Sequence, residues 1–176
     1  MDDIILLDKK SEKLIHEIID LKREGLEFLQ KSDETDYEEK IKKSGIHFVS
    51  AKEICFIHRN LGFPEDALVR PQLLESAVQR PINVFLYNDE ISIASLASEL
   101  CFGLVQNHAF IDGNKRVALI ALCYFLEKND VPSPEDTLEL SNYILNLAQH
   151  RITPADLNNF LVVTTHTPTF SRGVIR

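Results

Sequence analysis

The segment NHAFIDGNKRVAL, residues 107–119, places a histidine, an acid, an asparagine and two cations inside an otherwise apolar part of the chain. If Gly113 interrupts the chain and residues 114–116 open a helix, the first N–H groups of that helix have no helical partner and lie at the positive end of its dipole. Arg116 can bind a phosphate through two N–H groups, and Lys115 can approach one as a mobile charge. The segment therefore predicts an anion site.

Two further side chains of this segment indicate chemistry beyond anion binding. A phosphate alone would repel Asp112, but a carboxylate is expected there if it holds a divalent cation that bridges phosphate oxygens, as Mg²⁺ does. His108, at the end of the preceding helix, can accept a proton near neutral pH and act as a general base. A base, a metal ligand and an anion cradle together predict transfer of a phosphoryl or nucleotidyl group to a hydroxyl.

Composition limits the other classes of function. The 176 residues, 44% of them hydrophobic, are enough for one core and predict one domain. A net charge of -8 without a lysine or arginine tract argues against a sequence-independent nucleic-acid binder. The six glycines include no Walker motif, and there is no kinase catalytic signature or paired-histidine zinc spacing. Ordinary kinases and metallohydrolases are therefore excluded.

The sequence also predicts the cellular compartment of the protein. The longest apolar runs are too short to span a membrane, and the first residues, MDDIILLDKK, carry acids where a signal peptide carries positive charge. We therefore expect a cytoplasmic protein. Cys55, Cys101 and Cys123 are far apart and lie in apolar sequence, which predicts reduced core thiols.

Hydrophobic periodicity predicts a mainly helical fold. An amphipathic helix is expected within residues 11–30, and the charged residues 31–45 after it are interpreted as a solvated extension or a linker. Ser50 with Glu53 three residues later is a capping-box signature ahead of a helix that ends at Gly62. Four later helices are expected, of which the first two flank the motif and are apolar enough to be central: residues 93–107, 116–129, 138–150 and 155–165.

Three elements are expected before the central helices. Residues 47–50 could form a short strand, and residues 71–80 a helix that ends before Pro81. Residues 82–92 carry β-type residues around an Asn-Asp turn and predict a hairpin or flap. Tyr87 in this flap is as compatible with simple packing as with holding an extended target segment by strand addition.

The sequence HAFIDGNKR, residues 108–116, resembles the active-site motif of the Fic/Doc family. That motif is HxFx[D/E]GNGRxxR in Fic enzymes and ends in NKR in the Doc (death-on-curing) branch. About seven fixed positions, each matched by chance about once in twenty, make accidental agreement roughly a one-in-ten-million event. The resemblance covers a core of residues 46–161 and implies a helical bundle with a small β-hairpin flap. Residues 1–45 are then an N-terminal helix and charged extension, and residues 162–176 a C-terminal tail.

The resemblance implies a role for each residue of the motif. His108 is similar to the base that activates the target hydroxyl, Phe110 to the buried residue that fixes the loop, and Asp112 to the ligand of Mg²⁺. Four residues are implied to bind the phosphates of ATP, the first two through an anion hole and the last two through their charges: Gly113, Asn114, Lys115 and Arg116.

Three positions depart from the motif of Fic adenylylating enzymes. Position 109 is Ala where proline is common, Lys115 replaces a glycine, and Leu119 replaces the second arginine. The changes at 115 and 119 are shared with the Doc branch, whose toxins are protein kinases that silence a translation factor. The resemblance thus favours a Doc-like toxin kinase that uses ATP and Mg²⁺, modifies a protein such as a translation elongation factor, and has an antitoxin partner. A Fic-type adenylyltransferase and an inactive Fic-fold interaction module stay as alternatives.

Histidines and acids outside the motif are interpreted as structural or solvated. DLKREG, residues 20–25, nearly matches the Fic inhibitory motif [S/T]xxxE[G/N]. Its glutamate would pair with the second arginine, which is Leu119 here, so we interpret Glu24 as a solvated charge on an amphipathic helix. Five histidines are interpreted as structural residues: His16, His47, His58, His150 and His166.

Overall fold

The chain forms a mainly α-helical fold, as the sequence predicts. The computed structural model describes residues 36–64, 70–165 and 169–171. The predicted helix of residues 11–30, with Glu24, lies outside this part of the chain. Within it lie seven helices and two short strands: α1 (Asp36–Ser44), α2 (Ala51–Asn60), α3 (Pro71–Tyr87), β1 (Glu90–Ser92), α4 (Ile93–Asn107), α5 (Asn114–Lys128), α6 (Thr137–Ala148), α7 (Pro154–Thr165) and β2 (Thr169–Ser171).

Helices α4 and α5 form the centre of the fold. Helix α4 packs against α3, α5, α6 and α7, and α5 also contacts α2 and α6. All of α5 from Val117 to Leu126 is buried, which agrees with the prediction that neither helix has a wide polar face. Since the motif connects these two helices, residues 108–113 are held at both ends by deeply buried parts of the chain.

Helix α3 is longer than predicted because it continues through Pro81. Residues 82–87, expected in a hairpin, are its last turns. Pro81 has no N–H to donate to the carbonyl of Ala77, but Pro81 and Phe85 are buried, and burial of apolar surface offsets the lost hydrogen bond. Gly103 of α4 permits the packing, since a Cβ there would lie 3.0 Å from both Cα and O of Ala77.

The predicted β-hairpin flap is therefore wrong in its position. Only β1 of that region is a strand, and it pairs antiparallel with the distant β2, with Ile91 opposite Phe170. Tyr87 is the last residue of α3 and is 87% exposed. Residues 82–92 do contain residues typical of strands, but packing of the apolar ones against the core favours a helix.

The strand predicted at residues 47–50 does not form, although Ser50 has an extended backbone. The side-chain amide of Asn129 takes the place of a partner strand: the N–H of His47 donates to Oδ1 at 2.8 Å, and Nδ2 donates to the carbonyl of His47 at 3.1 Å. The capping box is confirmed, with the Glu53 N–H donating to Ser50 Oγ at 3.3 Å and the Ser50 N–H to Glu53 Oε2 at 2.8 Å.

Part of the charged segment 31–45, interpreted as a solvated extension or a linker, forms helix α1. Ile41 and Ile46 are partly buried and pack against the core, while Glu39 and Lys43 form an exposed ion pair one turn apart at 2.6 Å. At the other end of the proposed core, α7 begins at Pro154, one residue before the predicted helix, and ends at Thr165 as predicted, beyond residue 161. The boundaries of the core stay a prediction.

The cysteines are free thiols, as predicted. Cys101 and Cys123 are buried, and burial raises the pKa of Cys101 far above its ordinary value and that of Cys123 to about 12. Both thiols are therefore protonated and inert at neutral pH. Among the described helices, none combines the length and the apolar character that a membrane crossing requires.

Candidate active site

The motif forms the turn between α4 and α5. His108 ends α4 in the left-handed conformation, with φ 47° and ψ 53°, and its side chain is exposed. Gly113 precedes α5 with φ 84°. Because α4 and α5 pack against each other across this short connection, His108 and the first turn of α5, residues 114–116, lie at the same end of the helix pair.

Asn114 closes the turn with its side chain. Its Oδ1 accepts the N–H of Phe110 at 3.1 Å, and its Nδ2 donates to the carbonyl of Phe110 at 2.8 Å. The Phe110 side chain is 4% exposed and Asn114 is 9% exposed. The side-chain amide of Asn114 is hydrogen-bonded within the turn. The group of Asn114 that can bind an anion is therefore its backbone N–H.

The start of α5 carries no side-chain cap. Ser50, Ser92 and Asp136 cap α2, α4 and α6 by accepting first-turn N–H groups, but Gly113 has no side chain to do so. The N–H of Val117 donates to the carbonyl of Gly113 at 2.9 Å. The first turn and the positive end of the dipole therefore form an end suited to an anion.

Lys115 and Arg116 are exposed on this first turn. Leu119, one turn later, is 1% exposed and belongs to the core. The cations of the site are therefore confined to the first turn of α5 along this face. Arg116 also lies over the ring of Phe63, with its guanidinium carbon 5.7 Å from the ring centroid, within cation–π range.

The ring of Phe63 and the positive φ of position 113 both favour a glycine there. A Cβ on Gly113 would lie 2.4 Å from Cε2 of Phe63, and its positive φ would strain any other residue. Phe63 belongs to the loop after α2, outside the motif, and nothing in its sequence position signalled this contact.

His58 of α2 lies behind the same turn and is 3% exposed. Its ring stacks on Phe110 with 4.0 Å between centroids and on Phe63 with 4.7 Å. Burial lowers the pKa of His58, although its contacts with Asp112 act in the opposite direction. Nε2 is 3.0 Å from the carbonyl oxygen of Asp112; because a carbonyl only accepts, Nε2 carries the proton and donates it.

Asp112 is exposed on the turn, and its Oδ1 accepts the N–H of Gly113 at 2.6 Å. In the described part of the chain, no group of three or more His, Cys, Asp or Glu side chains could hold a metal ion. One carboxylate suits Mg²⁺, which keeps several waters and takes its remaining ligands from substrate phosphates. The donor set therefore fits a Mg²⁺ ion that binds together with a nucleotide, held by Asp112.

Residues 48–126 match the model of the Fic/DOC family. This part of the chain is thus similar to the Fic/DOC family. The matched range contains the whole motif and runs from just before α2 almost to the end of α5, so it includes His58 and Phe63 as well as His108. A comparison with curated proteins gives no match. The match is to the Fic/DOC family as a whole, and assignment to the Doc branch stays a prediction.

Proposed function

We propose that this chain transfers a phosphoryl group from ATP to a hydroxyl of a protein substrate. Proteins of the Fic/DOC family are typically transferases that modify other proteins, with ATP and Mg²⁺. The proposal rests on the end of the helix pair where the exposed His108 and the uncapped start of α5 come together. A proton acceptor and an anion site at one place are the two parts that transfer to a hydroxyl requires.

His108 acts as the general base. Its imidazole takes the proton of the target hydroxyl, and the hydroxyl oxygen forms a bond to the γ-phosphorus of ATP. The bond from this phosphorus to the oxygen that bridges the β- and γ-phosphates breaks, and ADP leaves with the electron pair. The proton on His108 then passes to solvent, which is open to this exposed side chain.

The first turn of α5 binds and orients the phosphates. The backbone N–H groups after Gly113 and the side chains of Lys115 and Arg116 approach the phosphate oxygens from the protein side. Asp112 would hold Mg²⁺, which would supply neutralisation of phosphate charge when bound. The fixed turn, closed by the Asn114 amide on Phe110, keeps these groups in place before the substrate binds.

Phosphoryl transfer is favoured over AMP transfer by the surroundings of two residues. Position 119 is a buried leucine, 1% exposed, and so supplies no cation where Fic adenylylating enzymes carry the second arginine of the motif. Lys115 adds an exposed cation where those enzymes have glycine. Moving positive charge along the cradle changes how the nucleotide lies, and its orientation decides which phosphorus meets the hydroxyl.

The proposal extends to the biological role that the NKR ending of the motif suggests. The chain would act as the toxin of a toxin–antitoxin pair, with a translation factor as the modified protein and a separate antitoxin as its inhibitor. Expression of the chain should then inhibit growth, and expression of the His108→Ala variant should not. Equal inhibition by both would contradict the toxin role.

The decisive experiment uses ATP labelled at either the α- or the γ-phosphorus. The pure protein is incubated with Mg²⁺, one of the two labels and cell extract, with His108→Ala as the matched control. Label transferred to a protein from the γ position, and only by the parent, is the expected result. Transfer from the α position would replace the proposal with adenylylation, and no His108-dependent transfer from either position would support an inactive interaction module instead.

A further inference from the structure

The geometry points to His58 as a positioning residue for the active-site turn. Its ring N–H holds the backbone carbonyl of Asp112 and so sets the direction of the Asp112 carboxylate and of the first-turn N–H groups of α5. This inference rests on the proposed function, because what is positioned is a site for Mg²⁺ and nucleotide phosphates. His58 lies on α2, 54 residues away from Asp112 in the sequence.

The middle of the turn needs such an anchor. Ile111 is 71% exposed, and Asp112 is also exposed, so burial does not fix either residue. The side-chain amide of Asn114 holds the backbone of Phe110, which directly precedes these two residues in the chain. The hydrogen bond from His58 Nε2 to the Asp112 carbonyl, at 3.0 Å, ties the exposed part of the turn to the body of the fold.

The His58 ring is itself held in one orientation. It is nearly parallel to the ring of Phe110, with 9° between the planes, and it stacks on Phe63 with 20° between the planes. Stacking of this kind keeps the ring N–H in one plane, within which it reaches the carbonyl of Asp112. Phe63 also contacts Gly113 and lies under Arg116, so the same stack reaches the metal ligand, the anion hole and a phosphate-binding cation.

Small displacements of this turn should therefore change nucleotide binding. A shift of about 1 Å in groups that bind or orient a substrate can cost roughly a hundredfold in function. A residue that only stabilises the fold would behave differently, since its loss reduces the number of folded molecules without changing the affinity of each one. Calorimetry separates the two roles because it measures the dissociation constant and the stoichiometry independently.

Three substitutions separate the hydrogen bond from the stack. His58→Gln keeps an N–H donor of similar reach, His58→Phe keeps an aromatic ring without the donor, and His58→Ala keeps neither. With Mg²⁺ and a non-hydrolysable ATP analogue, we expect Kd to rise about tenfold or more in the Ala and Phe variants. In the Gln variant it should stay within about threefold of the parent.

The matched control is His47→Gln. His47 is exposed, and its backbone bonds to Asn129 just after α5, at the end of that helix opposite the motif, about 20 Å away. This variant should bind the analogue like the parent. If His58→Ala fails to fold, the Gln and Phe variants still carry the comparison, since both fill the space of the imidazole.

Hydrogen exchange without any ligand distinguishes failure of this inference from failure of the proposed function. Amides of residues 108–116 should exchange faster in the Ala and Phe variants than in the parent and the Gln variant. If the parent binds no nucleotide but the variants still differ in exchange in this way, the proposed function is overturned. The role of His58 in ordering the turn is then retained. Unchanged exchange and unchanged Kd in the Phe variant, or a Gln variant as weak as the Ala variant, would overturn the role itself.

Discussion

The two ends of α5 carry positive side chains in opposite surroundings. At the C-terminal end, Lys128 Nζ donates to the carbonyl of Phe48 at 2.7 Å and lies 3.1 Å from Glu53 Oε1, with 10% of its side chain exposed. At the N-terminal end, Lys115 and Arg116 are exposed beside a helix start that has no side-chain cap. The sign of the charge is the same, and only the surroundings tell which end is built for a ligand.

Glu53 binds the polar groups at the C-terminal end of α5, here called the closed end. Its Oε1 accepts the hydroxyl of Tyr124 at 2.8 Å as well as Lys128 Nζ, while its Oε2 accepts the Ser50 N–H of the capping box. Burial, together with the neighbouring carboxylate of Glu53, raises the pKa of Tyr124, so the hydroxyl keeps its proton and donates it. The carboxylate of Glu53 therefore joins α2 to α5. The two ends differ in exposure: the charges of Lys128 and Glu53 are largely shielded from solvent, whereas Lys115 and Arg116 are exposed at a helix start without a side-chain cap.

The largest effect is expected from His108→Ala at the N-terminal end of α5, here called the open end. Removing a general base typically lowers the rate of transfer by about 100- to 10,000-fold, and the exposed side chain makes no hydrogen bond that the fold needs among the described residues. Label transfer measures the rate, and thermal unfolding with nucleotide-binding calorimetry provides the controls, which should both match the parent. A variant that loses stability as well as activity would make the open end structural.

The next effect is expected from Glu53→Ala at the closed end. It leaves the ammonium of Lys128 buried beside Tyr124 without its carboxylate, and breaking a buried pair in this way costs about 3–5 kcal/mol of unfolding free energy. Urea denaturation measures the loss. The matched control is Glu39→Ala, which removes an exposed carboxylate, 54% accessible, from its pair with Lys43 and should cost less than about 1 kcal/mol. Equal losses in the two variants would contradict the contrast between satisfied and exposed charges.

A smaller effect is expected from Gly113→Ala, with Gly62→Ala as its matched control. Both glycines have positive φ, 84° and 89°, but a Cβ at Gly62 meets nothing within 4 Å whereas one at Gly113 meets the ring of Phe63 at 2.4 Å. The backbone strain is shared, so the difference isolates the contact with Phe63. We expect Gly113→Ala to cost about 2 kcal/mol of stability, roughly 1 kcal/mol more than the control, and to weaken nucleotide binding. Equal costs would show that Phe63 moves away without consequence.

Features of the fold and of the candidate site can be predicted from the sequence where neighbouring residues determine them. The motif, the two apolar helices beside it and the capping box of Ser50 depend on residues close together in the chain. The continuation of α3 through Pro81 could not be predicted, because burial of Phe85 and the close approach of Gly103 decide it. The stack of His58 on Phe110 joins residues far apart in the chain, and a lone histidine in an amphipathic helix gives no sign of such a partner.

The smallest effect distinguishes Asp112 from Arg116 within the open end. Asp112→Ala should weaken nucleotide binding only when Mg²⁺ is present, because its carboxylate acts through the cation. Arg116→Ala should weaken binding with and without Mg²⁺, because the role proposed for its guanidinium is direct contact with phosphate. We expect each loss to be about tenfold in Kd, equal to about 1.4 kcal/mol, measured by calorimetry in the two conditions. Arg116 also loses its contact with Phe63, so Phe63→Leu serves as the control and should leave the Mg²⁺ dependence unchanged. The same Mg²⁺ dependence in the Asp112 and Arg116 variants would remove Asp112 from the metal site, and the open end would then bind phosphate through the helix start and its two cations alone.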